Sequence, residues 1–400
     1  MRKIPNQDSG ASSQPVTALS GVKSLDHLKG YYTIPDFKIG GTYEIGNASQ
    51  YEFGAPDGTT LESLHAGPLR TAYIAVGTPQ RDTEGLITNA IIISCYHSGD
   101  SAWFYYWWYE GQEGNDFAGG PVVGPGRIID TDRFYVIFLD ALGLWGTSKP
   151  SDGLGLKFPQ YTPFDFVQAN YRLLRDGLNV AKVRLATGVS MGAMQSYVWA
   201  LMHPEYVEAI MPIGGSTSTR KDAVVRWTFD LMTAAMKSDP VWRETQGDYY
   251  HLPKEKHPNQ GMMFGWSILM HTGLDLDYRV AQGWDEVKKE VFYWDPKDDE
   301  GLSLRQKALE YDVNDFILRN GYNEKFDIDV HLPSIKIPSL ILHVQNDLWL
   351  RVGLAEESAK RIPGARFASF SHPMAHYAVF RAPHALKEEV LSFFKEIGLK

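Results

Sequence analysis

Residues 188–192 read Gly-Val-Ser-Met-Gly, and their neighbours make this pentapeptide the tightest constraint on how the chain can fold. Residues 183–187 before it are apolar and partly β-branched, as a buried strand requires. Residues 191–202 after it are helix-forming and stop at His203-Pro204. A strand that becomes a helix across one residue leaves that residue strained and clear of the sheet. Small residues two positions to either side let the chain pass. Ser190 is therefore a candidate nucleophile. A chance Gly-x-Ser-x-Gly in a loop is the competing reading, and the flanking strand and helix weigh against it.

The rest of the chain supplies a setting for such a turn. Residues 90–95 (Ala-Ile-Ile-Ile-Ser-Cys) and 134–140 (Phe-Tyr-Val-Ile-Phe-Leu-Asp) are continuous apolar runs, typical of strands covered on both faces. Thr162-Pro163-Phe164-Asp165 opens a helix, with Thr162 as cap, Pro163 at the first helical position and Asp165 at the positive end of the dipole. Another strand is expected at 208–215. From residue 219 to about 326 the alternation stops, and helices are expected at 220–237, 262–271, 284–293 and 304–318. The α/β pattern resumes with a strand at 337–344, a helix at 355–361, a strand at 366–370 and a final helix at 386–397. The expected fold is α/β: a mostly parallel sheet with helices on both faces, interrupted by a helical lid. The expected division is an arm at 1–30, a core at 31–216 and 327–400, and a lid at 217–326.

Bulk properties narrow the function classes. A net charge of −9 with no basic run argues against a nucleic-acid partner. One cysteine, Cys95, excludes an intrachain disulfide framework and a cysteine-built zinc site. No apolar run is long enough to span a membrane, and the polar start has no signal-like apolar stretch, so a cytoplasmic protein is expected. Asn47-Ala48-Ser49 forms a sequon that without a signal reads as coincidence. Residues 103–109 are seven consecutive aromatics, starting at Trp103. They suit a core or subunit-interface segment, or else the wall of an apolar ligand pocket.

A serine hydroxyl needs a base, and a histidine base needs an acid to hold its tautomer. Asp347 follows the 337–344 strand, where a turn or capping role is the alternative. His376 lies in a loop ahead of the last helix, with His372 as competitor. Their order after Ser190 suits a Ser-Asp-His constellation. The oxyanion needs two donors: the backbone N–H of Met191 and one from the loop 96–99. His97 has no second ligand at metal spacing nearby, so no metal and no cofactor is expected.

Several stretches resemble the homoserine O-acetyltransferase family of the α/β-hydrolase superfamily. They are residues 124–133 (Gly-Pro-Gly-Arg-Ile-Ile-Asp-Thr-Asp-Arg), 146–151 (Gly-Thr-Ser-Lys-Pro-Ser) and 190–195 (Ser-Met-Gly-Ala-Met-Gln). Residues 239–242 with 247–250, and 375–378, fit more loosely. The resemblance runs from about residue 68 to the end. It implies the α/β-hydrolase fold, with Ser190 as acyl-accepting nucleophile, Asp347 as acid, His376 as base and His97 as second oxyanion donor. It also marks two departures. Tyr377 stands where homoserine-acting members carry the Asp that holds the ammonium, and Thr233 where they carry the Arg that holds the carboxylate. A shifted Arg226 or Lys237 is the remaining basic candidate, and neither repairs the ammonium site. A serine hydrolase acting on an uncharged ester of a small acyl group is therefore expected, with Tyr377, Thr233 and Trp103 toward the substrate. The alternatives are an acyl-CoA-dependent O-acyltransferase acting on an alcohol other than homoserine, and a non-catalytic binding protein. The expected partner is a small-molecule ester; the resemblance and the lid helices are compatible with a homodimer.

Overall fold

The computed structural model describes residues 22–45, 49–52, 58–111, 118–283, 310–324 and 326–399. Most of the arm, the sequon, the helix expected at 284–293 and the start of that expected at 304–318 lie outside them. Eight strands form one sheet: β1 (Gly30–Ile34), β2 (Leu69–Val76), β3 (Ala90–Ser94), β4 (Tyr135–Leu139), β5 (Val183–Val189), β6 (Ile210–Ile213), β7 (Leu340–Val344) and β8 (Arg366–Phe370). Their order is β1-β2-β4-β3-β5-β6-β7-β8. β2 runs antiparallel to both its neighbours, and every other pair from β4 to β8 is parallel. The parallel strands therefore all end at one edge, and the loops after β3, β5, β7 and β8 open there. This is an α/β-hydrolase fold.

Helices cover the sheet: α1 (Ser101–Tyr105), α2 (Pro163–Arg172) and α3 (Met191–Met202), then α4 (Ala223–Lys237), α5 (Pro240–Thr245), α6 (Asn259–Thr272), α7 (Leu276–Gln282) and α8 (Val313–Gly321) between β6 and β7. α9 (Val352–Arg361), α10 (Ala382–Ala385) and α11 (Lys387–Glu396) follow. α2 begins as its sequence dictates. Thr162 Oγ1 accepts from Phe164 N (3.2 Å) and Asp165 Oδ2 from Thr162 N (2.7 Å), a reciprocal cap that satisfies two orphan donors. α3 is buried on all sides from Met191 to Leu201, so its stability comes from packing rather than from an amphipathic face. The aromatic run forms α1 and a wider π turn over Tyr106–Glu110, with Trp103, Phe104 and Trp108 buried. Tyr105, Tyr106, Trp107 and Tyr109 are half-buried.

β1 and β2 lie ahead of the first strand legible in the sequence. Within the segment read as an arm, residues 22–28 form a 3-10 turn, and Leu25 and Lys29 are buried. The Lys29 ammonium pairs with Asp100 and lies 3.5 Å from Asp140, which ties this turn to the carboxyl ends of β3 and β4. Burial pushes the Asp100 carboxyl up to about 6 against the pull of Lys29.

The turn after β5 is set by close backbone approach. A Cβ on Gly192 would stand 2.2 Å from the Ser94 carbonyl oxygen, and one on Gly188 2.6 Å from the same atom. Both contacts are with main chain and cannot swing aside. Gly192→Ala is therefore expected to destabilise the protein by roughly 1–3 kcal/mol through overpacking. Thermal denaturation beside wild type checks this, and an unchanged midpoint contradicts it.

Candidate active site

Ser190 takes φ 55° and ψ −116°, a conformation that side-chain-bearing residues rarely adopt. Its N–H donates to Ile213 O (2.9 Å) on β6, while its carbonyl accepts from Ala193 and Met194 in the first turn of α3. The hydroxyl is thereby lifted off the sheet edge at the amino end of a buried helix. His376 Nε2 lies 3.0 Å from Ser190 Oγ, and His376 Nδ1 lies 2.7 Å from Asp347 Oδ2. The three residues come from the turns after β5, β7 and β8. His372, the sequence competitor, instead uses Nδ1 to accept from Met374 N (3.1 Å).

Asp347 is buried, and its other oxygen accepts from Trp349 N (2.8 Å) and Leu350 N (3.0 Å). Burial works against its charge, but the His376 ring and the Leu350 N–H outweigh burial and hold the carboxyl below its ordinary value. An acceptor-only carboxylate makes His376 donate through Nδ1–H, which leaves Nε2 to take the serine proton. Behind the imidazole lies the Trp349 ring, 4.6 Å between centroids, itself anchored by Nε1 to Thr272 Oγ1 (3.0 Å) on α6. The His376 N–H donates to Gly273 O (3.1 Å) at the end of the same helix.

The N–H of Met191 heads α3 and so has no partner within its helix. The N–H of His97 finds no backbone acceptor among the described residues. The His97 ring is buried, stacks on Phe229 at 4.1 Å and places Nε2 2.9 Å from Asn320 Oδ1. Burial, reinforced by the nearby Arg319 charge, drives its pKa well below the ordinary histidine value, so the ring is neutral.

The remaining sequence candidates each have contacts of their own. Thr233 Oγ1 accepts from Asn320 Nδ2 (2.9 Å), so it is linked through Asn320 to His97. Tyr377 packs edge-on against Trp349 at 5.6 Å and donates its hydroxyl to Leu269 O (3.1 Å). Trp103 is buried in α1 against Trp107, 5.1 Å between centroids. Arg226 pairs with Asp230 at 3.8 Å, and Lys237 lies over the Trp242 ring. Sequence reasoning missed Trp349, Asn320 and Arg319. Only the apolar surroundings of Arg319 in Phe316-Ile317-Leu318-Arg319 mark it as unusual.

No family model matches the chain. Over 313 residues it is 28% identical to a homoserine O-acetyltransferase of Trichormus variabilis, covering 73% of this chain and 80% of that one. Over 272 residues it is 31% identical to a homoserine O-acetyltransferase of Desulfotalea psychrophila, covering 64% of each. Among solved structures, an acetylester hydrolase from Corynebacterium glutamicum superposes with a TM-score of 0.68 at 18% identity, covering 92% of this chain and 96% of that one. Sheet order and structural likeness together define an α/β-hydrolase fold. Within that fold, the chain's sequence is similar to homoserine O-acetyltransferases at 28–31% identity.

The depressed Asp347 carboxyl carries a pH signature. A folded value below the unfolded one, about 3.9, contributes stability that is present above about pH 4 and lost as pH falls through the folded value. The stability margin of wild type over Asp347→Asn in urea unfolding should therefore hold at neutral pH and narrow toward about pH 3. A margin that stays constant or widens on acidification contradicts this reading.

Proposed function

We propose that this protein is a serine hydrolase that cleaves a carboxylic ester of a small acyl group through an acyl-serine intermediate. The observation that carries the reading is the continuous chain Ser190 Oγ, His376 Nε2 (3.0 Å), His376 Nδ1, Asp347 Oδ2 (2.7 Å), with the serine on a strained turn. Ser190 Oγ attacks the ester carbonyl while His376 Nε2 takes its proton. The carbonyl oxygen becomes an oxyanion facing the Met191 and His97 N–H groups. His376 then returns the proton to the departing alcohol, and the acyl group stays on Ser190. A water, losing its proton to His376, releases the acid and restores the serine. Asp347 holds the imidazole and offsets its charge while it carries the extra proton. No metal or cofactor enters these steps.

The substrate class follows from the two departures. A zwitterionic amino acid needs a carboxylate and a cation to desolvate its ends, and a missing charge partner in a closed site costs about 2–5 kcal/mol. Thr233 and Tyr377 are uncharged and have their hydroxyls bonded to Asn320 and Leu269. An uncharged ester loses nothing there. A structure of the same fold is named an acetylester hydrolase, so this scaffold accommodates ester hydrolysis. The names of the sequence relatives favour a second reading, in which an alcohol replaces water and acetyl-CoA supplies the acyl group.

Two measurements test the reading. Ser190→Ala should lose roughly 10⁴–10⁶ of kcat on p-nitrophenyl acetate with its circular dichroism unchanged. Wild type should hydrolyse neutral short-chain esters, while homoserine should not accelerate CoA release from acetyl-CoA. Saturable acetylation of homoserine would select the transferase reading. Retained turnover in Ser190→Ala would remove the nucleophile.

A further inference from the structure

The steps above make no use of a guanidinium that lies against the oxyanion loop. Arg319, on α8, is fully buried, at 0% exposure. One terminal nitrogen donates to His97 O (2.9 Å) and meets Met191 Sδ at 3.7 Å. The other donates to Ala141 O (3.0 Å) and Leu142 O (2.8 Å). Its charge lies 5.2 Å from the Phe166 ring and 5.8 Å from that of Tyr161. Among the described residues no carboxylate forms an ion pair with it. Asp315, one helical turn earlier, accepts instead from Ser151 N (2.7 Å) and Ser151 Oγ (2.8 Å).

The partners of Arg319 follow β4, β3 and β5, three neighbours in the sheet, so one side chain gathers the carboxyl-end turns of all three. The next residue, Asn320, takes the His97 ring at 2.9 Å. Carbonyl and imidazole of His97 are thus held from the same helix by consecutive residues. With both fixed, the residue has little freedom left to turn its N–H. Three carbonyls at fixed angles suit a planar fork of donors and do not suit a single ammonium. A buried cation without a counter-ion is also an expensive way to fill space, and a methionine would fill it without the desolvation cost.

We propose that Arg319, seconded by Asn320, is a positioning residue that aims the His97 N–H at the carbonyl oxygen of the bound ester. The seating of α8 then sets the competence of the oxyanion hole. This rests on the reading of Ser190 as the nucleophile.

The test compares Arg319→Met, Arg319→Lys and Asn320→Leu with wild type and Ser190→Ala on p-nitrophenyl acetate. A trifluoromethyl ketone, which adds Ser190 Oγ to give an oxyanion, is titrated beside the matching methyl ketone. Arg319→Met should lose about 10- to 100-fold in kcat with KM within about twofold of wild type. Its affinity for the trifluoromethyl ketone should fall by the same factor as kcat/KM, and that for the methyl ketone should not change. Arg319→Lys should recover part of the loss, and Asn320→Leu should show a smaller loss of the same kind. If Arg319→Met does not fold, Arg319→Lys and Asn320→Leu decide by the same readings. Wild-type kcat in folded Arg319→Met, or in both other variants, overturns the proposal, as does equal weakening of both ketones with a raised KM. Turnover surviving in Ser190→Ala would instead overturn the nucleophile, and this proposal with it. Loss of turnover in Ser190→Ala beside wild-type kcat in the folded position-319 variants overturns the positioning role alone.

Discussion

The structure is organised around one close approach, that of the turn after β5 to the main chain at the end of β3. The Ser94 carbonyl leaves no room for a Cβ on Gly188 or Gly192, and only that vacancy lets the chain reverse within a single residue. Ser190 stores the resulting strain, on the order of 1–3 kcal/mol for a residue held in such a region. The surroundings over-determine it. The Ser190 N–H is bonded to β6, and α3 is buried along almost its whole length. A hydroxyl raised in this way stands at the carboxyl edge of the sheet, where the turns after β7 and β8 deliver Asp347 and His376.

The helices inserted between β6 and β7 are part of the site's support. α6 supplies Thr272 to the indole of Trp349, and Gly273 directly after it accepts the His376 N–H. From α4 come the ring beneath His97 and the hydroxyl of Thr233; from α8 come Arg319 and Asn320. His376 and the loop after β3 are thus both braced by the same insertion. Exchanging Thr233 or Tyr377 for a charged residue would break their bonds to Asn320 and Leu269 and so disturb this bracing.

Short-range signals made much of this legible. Apolar runs marked β3, β4, β5 and β7, because a strand covered on both faces has no polar side to interrupt it. Thr162-Pro163 marked the start of α2, because caps act within one turn. β1 and β2 left no such mark: β2 mixes Leu69, Arg70, Thr71, Ala72 and Tyr73, and β1 is a half-exposed edge strand. Lys29 read as the end of a polar arm, since nothing local announces two carboxylates seventy and more positions away.

That Ser190, Asp347 and His376 belong together was legible in the sequence alone. A hydroxyl, a carboxylate and an imidazole in that order are few residue types, and the strand-turn-helix around Ser190 anchors the rest. Choosing between His376 and His372 needed the tertiary structure, because both lie in the same short loop and only chain geometry aims one at Ser190. So did the fate of Arg319. Its place after three apolar residues does not say which acceptors its guanidinium meets. In the fold Asp315 turns to Ser151 and Arg319 turns inward to three carbonyls. Helical spacing says which residues can meet, and packing decides which do, since a buried donor goes to whatever acceptors the assembled strand ends leave unpaired.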